Sequence, residues 1–320
     1  MKKQSWILVL SLMMGTVHAQ NTSYKILHDK AEKPWLSLNL EILNLGMGIS
    51  NFDGLYTGLG FYGFIDPIDK AGMEFGFRKS FLTSGQLGFR EYDGNTDFEL
   101  GGHYFLLDQI RKKDTKIVLK REYGGTSYST NVSGDRVATR SETVTYIMVP
   151  ARRRVMTGVR GGLISGSGPY SISDKDDLFP SVIEGNFNLS NSGVYLGLIR
   201  RSLRNVYVDV EEYGINYNSA GFDFFADVLL MPASSLEVLS LDASNALLNA
   251  NTIDETLDES SLGFRLGFSM YQIAPKKQTG KMFGFAAKGE AGIRPYQGIY
   301  IAGGLSITLI KAQSNPFQNK

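Results

Sequence analysis

Cysteine is absent from all 320 residues, and histidine occurs only three times. The absence of cysteine excludes disulfide bonds, thiolate metal ligands and a cysteine nucleophile. The net charge of +1 indicates no general attraction to nucleic acid or to acidic substrates. Beyond the first 19 residues, no apolar run approaches the roughly 20 residues of a membrane-spanning helix. The chain must therefore be held together by its own core or by a lipid bilayer.

The N-terminus has the pattern of a cleavable secretory signal. Two lysines directly after Met1 precede a mostly apolar run at 6–14, and Val17 and Ala19 supply small residues before a cleavage site. A basic start, an apolar run of about 7–15 residues and such an ending define these signals. A membrane anchor would need a longer run. We therefore predict a signal peptide over 1–19, export through the general secretory route, and a short N-terminal segment at 20–34.

Hydrophobic residues alternate with small or polar residues along much of the remaining chain. From Leu262 to Met270 every second residue is Leu, Phe or Met, and 299–309 repeats the pattern. A period of two places successive side chains on opposite faces of a β-strand. The first strand changes phase between Ile42 and Leu43, which predicts a β-bulge. The predicted strands lie near 35–49, 55–65, 71–82, 97–107, 115–124, 141–149, 154–164, 193–201, 205–215, 221–231, 261–272, 281–292 and 297–311.

The length and composition of these strands favour a membrane barrel. Strands of about 9–11 residues with one apolar face suit a tilted crossing of the bilayer. A soluble β-sandwich shares the alternation and is the alternative, but it faces water with Lys, Glu and Thr, whereas the second face here is rich in Gly and Tyr. We predict an all-β fold, a transmembrane antiparallel up-and-down β-barrel of about 12–14 strands, over 35–311 with a tail at 312–320. Tyr56, Tyr62 and Tyr271 fit aromatic girdles at the membrane interfaces.

The signal, the lack of cysteine and the amphipathic strands resemble the outer-membrane β-barrel proteins of Gram-negative bacteria. The Gly- and aromatic-rich composition is similar to that of barrels from the Bacteroidota. This class resemblance implies an outer-membrane location, outer-membrane lipids as partners, and other envelope proteins as candidate partners. Members of the class commonly end in an aromatic residue, whereas this chain ends in Lys320, with Phe317 nearby.

Histidine is too scarce for a recognisable catalytic or metal site. Only His28 and His103 follow the signal. No Ser close in the sequence supports a catalytic role for His103, and the two histidines lie too far apart to form a metal motif. Acidic residues in a predicted loop at 166–190 lack the spacing of an EF-hand. We predict no enzyme activity, no metal and no cofactor.

Charged residues on the polar faces of the strands are predicted to line the lumen, because an Arg or Lys facing lipid costs about 2–4 kcal/mol at the bilayer midplane. If these charges pair across the lumen they close it, and if they line opposite walls around water they orient polar solutes. The strand number is compatible with both outcomes. The predicted lumen residues are Glu41, Glu74, Arg78, Glu99, His103, Arg160, Asp209, Glu211, Asp223, Asp227, Arg265, Lys288 and Glu290.

Three basic clusters separate predicted strands, and we interpret each as lying in or beside a short turn at the lipid headgroups or at a protein partner. The first is Arg111-Lys112-Lys113. The other two clusters contain Arg152, Arg153, Arg154, Arg200, Arg201 and Arg204.

A weakly alternating stretch at 232–260 is predicted to form a loop or a plug.

Two functions follow from this reading. The first is a passive channel for small polar solutes. The second is a non-conducting barrel that serves as a subunit or anchor of an envelope assembly, secretion or motility complex. The sequence leaves the oligomeric state open.

Overall fold

The protein is all-β in a computed structural model that describes residues 23–49, 54–85, 88–90, 95–130, 136–171, 185–241, 261–272, 284–295 and 298–312. None of these residues forms a helix long and apolar enough to cross a membrane. The predicted signal at 1–19 and the tail beyond Ala312 lie outside the described ranges. The strands are β1 (Tyr24–Asp29), β2 (Leu36–Ile49), β3 (Gly54–Ile65), β4 (Ala71–Gly85), β5 (Gly88–Arg90), β6 (Thr96–Thr130), β7 (Arg136–Ser171), β8 (Gly185–Val210), β9 (Gly214–Leu241), β10 (Leu262–Gln272), β11 (Gly284–Arg294) and β12 (Gly298–Ala312).

Ten of the strands close into an antiparallel barrel. Around the wall the order is β2, β3, β4, β6, β7, β8, β9, β10, β11 and β12, and β12 then pairs with β2. Strand β5 has three residues and pairs with β4. The prediction of an all-β, antiparallel up-and-down barrel is confirmed. Closure pairs every wall strand on both sides, so the wall has no open edge.

The barrel has fewer strands than the predicted number of about 12–14, because three pairs of predicted strands are single long strands. The ranges 97–107 and 115–124 both lie in β6, and 141–149 and 154–164 both lie in β7. Similarly, β8 contains 193–201 and the first part of 205–215. The basic clusters between these ranges were interpreted as turns. Consecutive cations on an extended strand alternate between its two faces, however, and they do not interrupt it.

The chain divides into two compact units. Unit 1 consists of Met1–Asp29, Lys112–Arg152 and Val206–Asn218, and unit 2 consists of Lys30–Arg111, Arg153–Asn205 and Ser219–Lys320. Strands β6, β7, β8 and β9 each contribute residues to both units. Strand β6 alone has 35 residues, whereas a bilayer crossing needs about 9–11.

Unit 1 has an apolar core of its own. Strand β1 pairs antiparallel with the end of β8, from Tyr24 opposite Val210 to Asp29 opposite Val206. The segment at 20–34, for which the sequence predicted no strand, therefore contains one. The buried residues of this core come from β6, β7 and β8, and they are Ile117, Ile147, Val149, Ala151, Val206, Val208 and Val210.

Strand β2 carries the β-bulge predicted from its phase change. Its pairing with β3 shifts register between Glu41 and Asn44, and both of these side chains face the interior. The bulge keeps the apolar residues on the outside of the barrel along the whole strand. Nearby, a Cβ atom on Gly46 would lie 1.9 Å from the Tyr56 ring, so glycine leaves room for a tyrosine inside the barrel.

The two predicted loops are shorter than expected. Residues 166–171 and 185–190 continue β7 and β8, and 232–241 continues β9. The remaining residues of the loop predicted at 166–190, and of the loop or plug predicted at 232–260, lie outside the described ranges.

Candidate functional site in the barrel interior

The barrel interior receives the charged residues that the alternation assigned to it, with two exceptions. Asp209 and Glu211 are exposed and belong to unit 1. Side-chain direction keeps alternating along β8 from unit 2 into unit 1. In unit 1, however, the alternation exposes these two carboxylates to solvent. The other predicted lumen residues take part in ion pairs with largely buried side chains, and they are Glu41, Glu74, Arg78, Glu99, His103, Arg160, Asp223, Asp227, Arg265, Lys288 and Glu290.

One cluster of charges surrounds Asp66, which lies in the turn between β3 and β4. Its Oδ2 accepts a hydrogen bond of 2.7 Å from Nη1 of Arg201, and Nζ of Lys33 lies 3.3 Å from the same oxygen. On the other side, Nε2 of His103 lies 3.1 Å from Oδ1 of Asp66, and Nδ1 of His103 lies 2.9 Å from Oε1 of Glu74. His103 therefore links the turn carboxylate to one on the barrel wall.

The charges around Asp66 set its protonation and that of Lys33. Burial by itself would raise the pKa of Asp66, but the positive charge of Arg201, the hydrogen bond from His103 and the charge of Lys33 outweigh it, so the pKa lies below its usual value. Burial also lowers the pKa of Lys33, and the attraction of Asp66 opposes this only in part. The turn carboxylate is thus held in its ionised form.

A second cluster crosses the middle of the interior. Arg265 donates hydrogen bonds of 2.6 Å from Nε to Asp227 and 2.8 Å from Nη2 to Glu99. Arg160 pairs with the same Glu99 and lies 3.6 Å from Oδ1 of Asp227. Nζ of Lys288 lies 3.9 Å from Oε2 of Glu99. Two carboxylates are thereby shared among three cations.

A third cluster ties opposite walls together. Arg78 donates from Nε to Glu41 at 2.8 Å and from Nη1 to Glu290 at 3.2 Å. Arg294 donates from Nη1 to Asp97 at 2.7 Å. Strands β11 and β6, which carry Arg294 and Asp97, stand five positions apart in the order of ten barrel strands. This pair therefore spans the full width of the lumen.

The charges of the three clusters nearly balance. In the described part of the interior eight carboxylates face seven arginine and lysine side chains, together with His103. A balanced and paired interior carries no strong field of one sign, which is what a ring of like charges in a selective pore would supply. The carboxylates are Glu41, Asp66, Glu74, Asp97, Glu99, Asp223, Asp227 and Glu290, and the cations are Lys33, Arg78, Arg160, Arg201, Arg265, Lys288 and Arg294.

Aromatic rings fill the space between the ion pairs. The guanidinium of Arg160 lies 4.3 Å from the ring centre of Phe225, and that of Arg294 lies 4.3 Å from the ring centre of Tyr300. Tyr56 and Tyr271, predicted for the membrane interfaces, are 6% and 5% exposed and lie inside the barrel. Their positions fall on the inward phase of their strands, and this phase outweighs the preference of tyrosine for an interface.

Two small cavities lie between the described side chains of the interior. One cavity of about 60 Å³ lies among Asn39, Tyr62, Arg160 and Lys288, and another of about 20 Å³ lies beside Arg78 and other members of the third cluster. A water molecule occupies roughly 10–15 Å³ on this measure. The larger cavity thus has room for about four to six water molecules and the smaller one for one or two.

The six arginines predicted at headgroups or partners have different environments. Arg201 differs most, because it is 1% exposed and pairs inside the barrel with Asp66 and Asp223. Arg154 makes a two-pronged ion pair with Asp108. Both were grouped with their neighbours by sequence proximity, but adjacent residues on a strand point to opposite faces.

The other four arginines are at least partly exposed. In unit 1, the backbone N–H of Arg152 donates to Oδ1 of Asp29 at 2.6 Å. In unit 2, Arg153 donates from Nε to Oγ of Ser202, and Arg200 and Arg204 belong to the face of β8 that also carries the exposed apolar residues.

The outer face of the barrel is apolar on every wall strand. Along β10 the burial alternates without a break, with Leu262, Phe264, Leu266, Phe268 and Met270 40–57% exposed. Exposed Leu, Ile, Phe, Val or Met side chains also occur on each of the other nine barrel strands. Soluble monomers rarely expose apolar patches of more than a few hundred Å². The outer face is therefore suited to an apolar environment.

The sequence missed five members of the ion-pair clusters, one of which is Arg201, predicted instead for a headgroup or partner. Asp97 and Arg294 stand at strand ends, where extending the alternation by one or two residues would have identified them as inward-facing. Lys33 and Asp66 lie outside the strands, in segments without periodicity, so no sequence pattern marks them.

The fold and the interior together define a closed antiparallel β-barrel, which is compatible with the outer-membrane barrel class. Compared with known proteins, the chain matches no family model and no curated protein.

Proposed function

We propose that this protein is an outer-membrane barrel whose lumen is closed by its own side chains, and that it serves as an anchor or subunit of an envelope assembly. The observation that carries the proposal is the set of ion pairs between distant walls, above all Arg294 with Asp97 and Arg265 with Glu99. A water-filled lumen would require these charges to separate, although at short range they now neutralise one another. The predicted signal supports export, and the apolar outer face supports insertion into a membrane.

Unit 1 supports the role in an assembly. Its β6–β7 hairpin exposes Lys112, Lys116 and Lys120 on the face opposite its buried core, together with Met148, which is 51% exposed. Methionine is enriched at protein interfaces relative to the rest of the surface. A pore has no need of a unit with a separate core, whereas a subunit of an assembly needs a surface that a partner recognises.

The partner proposal is tested by lysine-directed cross-linking in intact outer membranes. We expect the wild-type protein to yield a stoichiometric cross-linked partner. A variant in which Lys112, Lys116 and Lys120 are changed to arginine removes the reactive amines but keeps the charges, so it should lose the cross-link and still co-purify with that partner. A Lys79→Arg variant is the matched control, because Lys79 is an exposed lysine of unit 2. Absence of any stoichiometric partner in the wild type would reject the assembly role.

Passive transport of small polar solutes is the competing function, and conductance in planar bilayers discriminates between the two. The closed lumen predicts no open-channel current for the purified wild-type protein. Stable ohmic current at neutral pH, abolished by boiling the same sample, would reject the closed lumen in favour of the channel.

A further inference from the structure

Three arginines on neighbouring strands of unit 2 have no carboxylate partner among the residues that the structure describes. Arg153 on β7 stands directly opposite Arg204 on β8, and Thr157 stands opposite Arg200 four residues further along each strand. In the described part of the chain none of these arginines takes part in an ion pair. Like charges directly opposite each other in a sheet destabilise it. An isolated sheet would therefore not favour this pairing.

The three side chains nevertheless lie on one face of the two strands. Nε of Arg153 donates a 2.7 Å hydrogen bond to Oγ of Ser202, which stands between Arg200 and Arg204 on the same face of β8. Nε of Arg204 is buried and has no hydrogen-bond acceptor among the described residues. A buried guanidinium nitrogen without an acceptor is costly, and such a group calls for a missing partner.

The same face of β8 is apolar on the other side of Arg200. Val194, Leu196 and Leu198 are 46%, 69% and 62% exposed, at every second position up to Arg200. The face thus changes from apolar to cationic within one strand. This is the order that a lipid presents, with its acyl chains next to its phosphate.

We propose that Arg153, Arg200 and Arg204 form a binding site for the phosphate of an anionic phospholipid, whose acyl chains lie along the outer face of β8. The site rests on the proposed membrane insertion. Guanidinium groups bind phosphate through two parallel hydrogen bonds, and the bound anion removes the repulsion between Arg153 and Arg204. The site is a specific one on two adjacent strands and differs from the general attraction of basic residues to a membrane surface.

The test compares thermal unfolding of the full mature chain in neutral dodecyl-maltoside micelles supplemented with phosphatidylglycerol, phosphatidylcholine or inorganic phosphate. Phosphatidylglycerol is expected to raise the unfolding temperature of the wild-type protein, with phosphatidylcholine and inorganic phosphate raising it less. Arg153→Gln and Arg204→Gln should each weaken the phosphatidylglycerol effect by about fivefold in apparent affinity. Arg204→Lys keeps the charge and should keep part of the effect, and Lys79→Gln removes an outward cation from β4 and should leave it unchanged.

The effect of Arg204→Gln on stability should change sign when lipid is added, and a purely structural role of Arg204 would not produce that change. Without added lipid, Arg204→Gln should be at least as stable as the wild type, because it relieves the repulsion from Arg153. With phosphatidylglycerol it should be less stable than the wild type. The proposal would be overturned if phosphatidylglycerol raised the unfolding temperature of the wild type and of both glutamine variants equally. It would also be overturned if inorganic phosphate raised the wild-type unfolding temperature as much as phosphatidylglycerol does, since that would point to a free anion. A parallel insertion assay in phospholipid vesicles separates the two proposals. If the protein does not insert into vesicles at all, the proposed function fails; if it inserts but phosphatidylglycerol gives no preferential stabilisation in micelles, only this site fails.

Discussion

Changing Arg265 to methionine tests whether the interior is closed. The guanidinium of Arg265 is almost fully buried and donates hydrogen bonds of 2.6, 2.8 and 3.1 Å to Asp227 and Glu99. Removing one partner of a buried ion pair costs about 3–5 kcal/mol, because the other partner stays buried without compensation. Arg160 and Lys288 still lie near the two carboxylates. We therefore expect the lower end, about 3 kcal/mol, which is roughly two orders of magnitude in the unfolding equilibrium.

The assay is urea unfolding in phospholipid vesicles, followed by the fluorescence of Trp35. This residue is the single tryptophan that remains after cleavage behind Ala19. An Arg265→Lys variant is the matched control. It keeps the positive charge but loses the forked donor geometry, so its loss of stability should be smaller than that of Arg265→Met.

A loss below about 1 kcal/mol for Arg265→Met would refute the closed interior, because a cost of that size is typical of solvent-exposed ion pairs. Water would then reach Glu99 and Asp227 freely. The double variant Glu99→Gln with Arg265→Met should recover part of the lost stability, since it removes a buried charge. No recovery would mean that the packing of the arginine, and not its charge, stabilises the interior.

Three further changes probe the outer face, the core of unit 1 and the turn carboxylate. Leu266→Arg, at the middle of the apolar face of β10, should cost about 2–4 kcal/mol in vesicle unfolding, and Leu262→Arg, at its end, about 0–1 kcal/mol. Val208→Ala should destabilise unit 1 by about 2 kcal/mol, measured as faster amide hydrogen exchange in its core strands. Asp66→Asn should lower the unfolding free energy most at neutral pH. The lowered pKa of Asp66 contributes stability above the unfolded value of about 3.9, and this contribution is lost as the pH falls through the folded pKa.

Each of these predictions has an outcome that contradicts it. Equal costs for the two leucine variants would mean that the outer face does not meet a bilayer. Unchanged exchange in unit 1 after Val208→Ala would contradict the separate core. A stability difference between Asp66→Asn and the wild type that stays constant down to pH 2 would contradict an ionised Asp66 paired with Arg201 and Lys33.

The sequence predicted the wall of the barrel well because alternation is a local property. The inward or outward direction of Arg265, Asp227 and Glu290 follows from counting residues along one strand, and the β-bulge in β2 follows from one change of phase. Strand boundaries were less predictable. Runs of arginine resemble turns in composition, yet β7 passes through Arg152 to Arg154 without interruption.

The contacts inside the lumen could not be predicted from the sequence. Asp97 and Arg294 are 197 residues apart, and nothing in either segment indicates that they meet. Which cation faces which carboxylate depends on the number of strands and on their register around the closed wall, and both are results of the whole fold.

Alternation alone left two arrangements of the inward charges open, paired across the lumen or lining opposite walls around water. The sequence by itself determined that the chain forms amphipathic strands with apolar residues on one face and charged residues on the other, because side-chain direction in a strand depends only on position. Only the tertiary structure decided that ten strands close the wall and that the inward charges pair across it. The physical reason is distance. The energy of an ion pair depends on the separation of its atoms in space, and the separation of the two residues along the chain does not determine it.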